Sequence, residues 1–182
     1  MPGKIRNQRL FIAISIPPDA EDSLLRLNSF FPSVRFAKKF HLTLTFIGDA
    51  FPAEKCAKVL RNVEEEAFCL ELSHMGVFTQ GILWYAPKPN KPLLKLKAAI
   101  DDELAPIGYI PESRKYFPHI TLCRTKAAIA PQILAAANAT RLNNAWQVSS
   151  FGLYQSQLTP QGAIHTLIEE YPLLQGGGRL SN

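Results

Sequence analysis

Residues 41–44 read HLTL and residues 119–122 read HITL, and this repeated pattern of histidine, aliphatic residue, threonine and leucine decides the fold. The surrounding stretches 41–48 (HLTLTFIG) and 118–124 (PHITLCR) are rich in β-branched and other apolar residues and end at glycine or arginine, which favours strands. One copy lies in each half of the chain, after a segment with helical spacing. Such an internal repeat predicts a pseudo-twofold duplication in which the two strands face each other.

The elements around the two strands alternate between helical and extended patterns. Helices are predicted where apolar residues recur every three or four positions, at 20–30, 53–67 and 93–104. Further strands are predicted at 9–17, 68–72, 82–85, 146–157 and 163–169. His74 follows the short strand 68–72 beside a glycine, so that a loop position is expected for it. Helices mixed with antiparallel-type strands predict the α+β class.

Residues 86–92 (APKPNKP) form the clearest break, because three prolines in seven residues can hold neither a helix nor a central strand. We therefore predict a single domain over residues 1–174, with two lobes joined near residues 86–92. Residues 175–182 contain three consecutive glycines and are expected to be a flexible tail.

The composition is that of an ordinary globular chain: 182 residues, 47% hydrophobic and 19% charged. It argues against a disordered or fibrous protein. Cys56, Cys69 and Cys123 are widely spaced without a C-x-x-C pair, which predicts neither a disulfide framework nor a zinc cluster and favours a reducing compartment. The apolar run 10–16 is too short for a membrane span and ends at prolines, so a soluble cytoplasmic protein is expected.

The formal net charge is +5, which alone is too small to name a partner. The position of the basic residues is more informative, because they precede both repeated strands. They are Arg35, Lys38, Lys39, Arg114 and Lys115. At the ends of those strands they would surround the mouth of a cleft and attract a polyanion in a salt-dependent manner.

The repeated strands carry groups suited to phosphoester cleavage. Alternation puts His41 and Thr43 on one face of their strand, and His119 and Thr121 on one face of theirs. If both faces meet at one cleft, one imidazole can take a proton from water while the other gives one to the leaving oxygen. The threonine hydroxyls and Arg124 can bind the phosphate oxygens. No Asp or Glu lies within either motif, so neither a metal nor another cofactor is expected.

Taken with the segments RLFIAISIP, GVFTQGILWY and FGLYQSQLTPQGAIHTLI, the two motifs resemble those of the LigT-like branch of the two-histidine phosphoesterases. The resemblance is specifically to the bacterial and archaeal RNA 2′,3′-cyclic phosphodiesterases, first described as 2′-5′ RNA ligases, and it covers residues 9–174. It implies a two-lobed α+β fold with antiparallel sheets lining a central cleft and helices outside. It also implies metal-independent hydrolysis of RNA 2′,3′-cyclic phosphate ends to a 2′-phosphomonoester.

The resemblance implies a role for each motif residue. His41 corresponds to the proton donor to the leaving 3′ oxygen, and His119 to the proton acceptor that activates water. Thr43 and Thr121 would hold the phosphate, and Arg124 matches an arginine commonly found just after the second motif. From the motifs alone, the nearly symmetric pair does not reveal which histidine is the acid.

Four other residues near the motifs carry expectations or open questions. Phe117 and Tyr116, directly before the second motif, are expected to contact ribose or base. Relatives often have a tyrosine where His165 stands, so His165 is either a simple ring replacement or a third histidine near the cleft. Cys123 shares the face of His119 in a regular strand and leaves it only if the strand is bulged.

Two alternatives accompany the RNA-end hydrolase. The same site can act on a small cyclic nucleotide, or run in reverse as a 2′-5′ ligase. A non-catalytic RNA-binding module would use the basic cleft alone, but the chain lacks the aromatic strand and the GXXG loop of common RNA-binding modules. The expected partners are RNA ends or nucleotides with a cyclic phosphate, with no membrane, no obligatory protein partner and a monomeric state.

Overall fold

The computed structural model describes residues 9–140, 142, 144–160 and 162–175. Its strands are β1 (Arg9–Ser15), β2 (His41–Gly48), β3 (Phe68–Phe78), β4 (Ile82–Pro87), β5 (Ile120–Arg124), β6 (Ala145–Val148), β7 (Ser150–Thr159) and β8 (Gly162–Pro172). Its α-helices are α1 (Pro18–Arg26), α2 (Ala53–Leu60), α3 (Lys91–Leu104) and α4 (Pro131–Ala139). Of the tail predicted at 175–182, all but residue 175 lies outside the described residues.

The eight strands pair in the order β6-β3-β4-β5-β2-β1-β7-β8, and every neighbouring pair is antiparallel. This sheet and the four helices confirm the α+β class. The two motif strands, β2 and β5, are neighbours at its centre and pair at Leu42 and Ile120. The motifs therefore lie side by side in one sheet, where the sequence repeat had suggested strands facing each other.

The two halves of the chain interleave in this sheet. The first half runs β1, α1, β2, α2, β3, and the second repeats this order as β4, α3, β5, α4 and, after the short β6, β7. The last strand of each half pairs with the first strand of the other, since β3 pairs with β4 and β7 with β1. Each side of the central motif pair thus contains strands from both halves. Residues 88–90 connect β4 to α3, and the division into lobes joined near 86–92 stays a prediction.

Four sequence-based boundaries were wrong. The break predicted at 86–92 is shorter, because β4 runs to Pro87 and α3 begins at Lys91. The helix predicted at 53–67 ends at Leu60. The strand predicted at 146–157 is two strands, because the chain passes from β3 at one edge to β1 near the other. His74 lies within β3 and not in a loop, since pairing with β4 continues through Met75 and Gly76 to Phe78.

One face of the sheet is buried against the helices. Leu42 and Ile120 are fully buried on the motif strands, and Leu24 of α1 and Leu96 of α3 are equally buried in the same core cluster. Burying such aliphatic side chains contributes about 1.5–3 kcal/mol each, so this face positions the motif strands firmly. In the part of the chain that the structure describes, no helix is long and apolar enough to cross a membrane.

Candidate active site

The pairing of the motif strands determines which of the candidate side chains are neighbours. β2 and β5 are antiparallel, and Leu42 lies opposite Ile120. The residue before Leu42 therefore lies opposite the residue after Ile120, and the residue after Leu42 lies opposite the residue before Ile120. Cross-strand neighbours have Cβ atoms about 4.5–5.5 Å apart, and residues two apart on a strand are about 6.5–7 Å apart. Both paired aliphatic residues face the core, so the flanking side chains point to the opposite face.

The result is a four-residue site in which each motif's histidine lies next to the other motif's threonine. The register at Leu42 and Ile120 puts His41 opposite Thr121, and it puts His119, directly before β5, opposite Thr43. The four side chains are all half-buried. Two imidazoles and two hydroxyls thus surround one small space on the open face of the sheet, at a spacing that suits a phosphate. The sequence pattern predicted these four residues; the crosswise pairing comes from the register.

The first motif strand contains a β-bulge at Leu44. Consecutive β1 residues pair with Thr43 and Thr45, so Leu44 has no opposite residue. The extra residue reverses the alternation of side chains beyond it. Thr45 turns into the core, where it is 3% exposed and donates a hydrogen bond to Asp101 Oδ1 at 3.0 Å. Phe46 turns out on the side of His41 and is 63% exposed.

The second motif strand contains the equivalent bulge at Leu122. Consecutive β4 residues pair with Thr121 and Cys123, again leaving the leucine between them unopposed. Cys123 is therefore buried in the core at 4% exposure, and burial raises the pKa of its thiol. This answers the question the sequence left open for Cys123. Beyond the bulge, Arg124 is exposed on the side of His119 and Thr121, where regular alternation would have pointed it into the core.

His119 lies directly before β5 and is held by Phe117, two residues earlier in the chain. Its Nδ1 lies 2.9 Å from the carbonyl oxygen of Phe117. Since a carbonyl oxygen only accepts, Nδ1 carries the proton, and in the neutral ring Nε2 is left as a proton acceptor. The Phe117 ring stacks on the imidazole with centroids 5.9 Å apart, and Phe78 packs edge-on at 5.2 Å. Phe117 is 42% exposed beside the histidine.

His41 lies deeper, against two rings from neighbouring strands. The ring centroids of Phe11 and His165 are 5.2 Å and 5.1 Å from its own. Burial, followed by repulsion from His165 and then from His119, lowers the pKa of His41 to about 4. Burial also lowers the pKa of His165. Of the two alternatives that the sequence left open, the structure places His165 as a third histidine beside the cleft.

A pocket of about 220 Å³ opens beside His41. Its apolar wall is formed by Phe11 and Tyr154, whose rings stack with centroids 5.3 Å apart. Its polar lining includes His165, Lys39 and Glu21. Glu21 is 8% exposed; its carboxylate accepts hydrogen bonds from Lys39 Nζ at 2.9 Å and from the backbone amide of Phe40 at 3.2 Å.

The basic residues predicted at the cleft mouth are in different situations. The backbone amide of Ala37 donates to the Leu122 carbonyl, which brings the segment before β2 against the end of β5 that carries Arg124. Lys39 and Arg124 therefore belong to the same end of the site, nearest His41. Arg114 instead pairs with Glu112 at 2.7 Å, and both of these side chains are exposed.

Strand pairing and packing place Phe46 and Tyr116 differently from what their local sequence indicates. Phe46 is brought out by the bulge at Leu44, and no local pattern signals that reversal. Tyr116 was expected to contact substrate, but it is largely buried and its hydroxyl donates to the carbonyl oxygen of Thr43 at 2.8 Å. Burial, reinforced by Asp101, raises its pKa. Tyr116 thus ties the approach to β5 against β2.

The described residues contain no group of three or more His, Cys, Asp or Glu side chains that could hold a metal ion. The site's own donors are imidazoles, hydroxyls and one guanidinium. This set suits the oxygens of a phosphate, which accept hydrogen bonds and attract positive charge.

The fold and the site define a class of protein: an α+β domain with two H-x-T strands paired at the centre of one antiparallel sheet. Residues 16–159 match the family model described as the 2′-5′ RNA ligase superfamily, and the chain belongs to that family.

Several relatives match over nearly their whole length. An RNA 2′,3′-cyclic phosphodiesterase of Thermus thermophilus is 30% identical, covering 94% of this chain and 93% of the relative. A protein of the same name from Methanocaldococcus jannaschii is 26% identical, covering 90% and 99%. The crystal structure of Escherichia coli LigT complexed with 3′-AMP superposes with a TM-score of 0.76 at 26% identity, covering 93% and 100%.

Proposed function

We propose that this protein is an RNA 2′,3′-cyclic phosphodiesterase that opens cyclic phosphate ends to 2′-phosphomonoesters by acid-base catalysis at His41 and His119. The observation that carries the proposal is the crosswise site, in which each histidine neighbours the other motif's threonine on one open face. The names of the two relatives support the reaction. The LigT complex with 3′-AMP supports a nucleotide phosphate as the ligand.

In the proposed reaction a water oxygen attacks phosphorus, and the bond from phosphorus to the ribose 3′ oxygen breaks. His119 Nε2 accepts the proton of the water, because the Phe117 carbonyl holds the Nδ1–H in place and stabilises the imidazolium that forms. His41 gives a proton to the departing 3′ oxygen. The oxygen of the water thus becomes part of the phosphomonoester, and the 3′ oxygen receives a proton and becomes a hydroxyl.

His41 must carry a proton to act as the donor. With a pKa of about 4 it is neutral at pH 7 in the free site. The negative charge of a bound phosphate favours the imidazolium, so substrate binding and proton uptake by His41 are coupled. The same low pKa also favours the reverse assignment, with His41 as acceptor and His119 as donor. This is the second candidate mechanism.

The remaining residues of the face bind the substrate. The hydroxyls of Thr43 and Thr121 donate to the non-bridging phosphate oxygens, and Arg124 offsets the charge that develops on them. Phe117 presents an exposed ring beside His119, and Phe46 presents one beside Phe11, where each can stack on a base of the substrate. Base stacking on aromatic rings contributes about 1–3 kcal/mol per base.

We further propose that the protein works as a monomer, without a metal or other cofactor, on RNA in the cytoplasm. The reducing compartment is supported by Cys56, Cys69 and Cys123, all of which are free thiols. The metal-free reaction is supported by the two imidazoles, which supply both proton-transfer groups themselves.

The test is digestion of an RNA oligonucleotide with a 2′,3′-cyclic phosphate end in the presence of EDTA, followed by ³¹P NMR of the product. A 2′-phosphomonoester formed at an undiminished rate is the expected result. A 3′-phosphate product would refute the leaving-group assignment, and loss of activity restored by Mg²⁺ or Zn²⁺ would refute the metal-free mechanism. Joining of a 5′-hydroxyl RNA to the cyclic end under the same conditions would reveal the ligase direction.

A further inference from the structure

We propose that the pocket beside His41 is a subsite for the nucleotide that precedes the cyclic end in an RNA, and that His165 contacts the phosphate of that nucleotide. The proposal rests on the proposed function, since it concerns the same substrate. It assigns the protein a preference for RNA ends over cyclic mononucleotides.

The pocket is continuous with the catalytic site. His41 belongs both to the four-residue site and to the pocket lining. The ring of His165 packs against His41. Its centroid lies 5.1 Å from that of His41 and 5.0 Å from that of Phe11. A ligand whose cyclic phosphate lies against His41 can therefore extend to His165.

The lining suits a nucleotide, with one apolar part and one polar part that carries hydrogen-bond donors. The stacked rings of Phe11 and Tyr154 form an apolar wall against which a base or ribose can pack. His165 brings an imidazole N–H to the rim, and Lys39 brings an ammonium group whose side chain is 83% exposed. Glu21 orients the lysine through its ion pair and leaves the ammonium group two further donors.

The occupant follows from the contrast between the two ends of the site. The His119 end presents the exposed ring of Phe117, which suits the base of the terminal nucleotide. The pocket beside His41 presents Lys39 and His165, whose N–H donors suit an additional phosphate. In an RNA the anion nearest to a cyclic end is the preceding phosphodiester, and a cyclic mononucleotide lacks it.

The test compares kcat/KM for a dinucleotide with a 2′,3′-cyclic end and for the corresponding cyclic mononucleotide. The unmodified protein is expected to prefer the dinucleotide by about tenfold, the effect of one charge-assisted hydrogen bond. H165F retains a ring against His41 but loses the donor. It should lower kcat/KM for the dinucleotide about tenfold and for the mononucleotide less than threefold. K39A removes the ammonium group and keeps His165, and it should likewise affect mainly the dinucleotide and reduce its salt dependence.

The matched control is H74F, which replaces a histidine packed edge-on against Trp84 at 5.4 Å, outside the pocket. It should leave the substrate ratio unchanged, and thermal unfolding of all variants monitors the fold. Equal losses for both substrates in H165F would show that His165 acts through His41 and overturn the proposal, as would equal use of both substrates by the unmodified protein. If neither substrate is hydrolysed by the unmodified protein, the proposed function itself fails.

Discussion

The low pKa of His41 predicts that this one side chain makes the fold sensitive to mild acid. In the unfolded chain its pKa is near 6.5, whereas in the folded protein it is about 4, chiefly because of burial and then because of His165 and His119. At about 1.36 kcal/mol per pKa unit, the difference corresponds to roughly 3 kcal/mol.

The direction in which the free energy of unfolding changes with pH follows from proton binding to His41. Below pH 6.5 the unfolded chain takes up a proton on this imidazole while the folded protein does not, so the free energy of unfolding falls. The contribution of His41 to the free energy of unfolding is complete above pH 6.5 and is lost as the pH drops toward 4. Replacing His41 with glutamine removes the titrating group from both states. We therefore expect H41Q to lose less stability than the unmodified protein between pH 7.5 and 4, by roughly 3 kcal/mol.

Urea unfolding at pH 7.5, 6, 5 and 4, followed by circular dichroism, measures this difference. H74Q is the matched control, because it removes a histidine from β3, well apart from His41 along the sheet. The pH dependence of H74Q should follow that of the unmodified protein. If H41Q and the unmodified protein lost stability in parallel, the buried, neutral state assigned to His41 would be wrong. NMR titration of the ring proton of His41, with and without 3′-AMP, would then report its pKa directly, and a bound phosphate should raise it.

Four further predictions concern catalysis and the bulges. His119→Ala should lower kcat by roughly 10² to 10⁴-fold and remove one limb of the pH–rate profile for a cyclic dinucleotide. A profile that stays bell-shaped would exclude His119 as one of the two proton-transfer groups. Arg124→Ala should lower kcat more than it raises KM, with partial recovery in R124K, and a pure KM effect would assign the arginine to ground-state binding. Phe46→Ala should raise KM by roughly 5- to 100-fold, as the loss of one base stack implies, while F46W should not; equal KM values for F46A and the unmodified protein would remove Phe46 from the site. Thr45→Val should cost about 1 kcal/mol of unfolding free energy at pH 7, because Asp101 Oδ1 loses the threonine donor and the carboxylate keeps only Lys97. A neutral effect in urea unfolding would contradict the inward turn at the Leu44 bulge.

Much of the fold could be predicted from the sequence, because each strand or helix shows its hydrophobic pattern within one short segment. The alternation in HLTLTFIG and HITLCR marks both motif strands, and the helical spacing at 93–104 marks the body of α3. The split between β6 and β7 was not readable, because both segments look extended and only the partner strands distinguish them. The same holds for His74, which lies in a strand because β4 pairs with it.

The sequence by itself determined the α+β class, the repeated H-x-T strands and the sharing of a face by the histidine and threonine of each motif, because these depend only on alternation along one strand. Only the tertiary structure decided which histidine neighbours which threonine, since that depends on the register at Leu42. It also decided the two bulges, which pairing with β1 and β4 creates and which turn Phe46 and Arg124 outward. The placement of His165 beside His41 likewise required distant strands to meet. Residues more than a hundred positions apart are brought into contact by packing, and no pattern within either segment records the other.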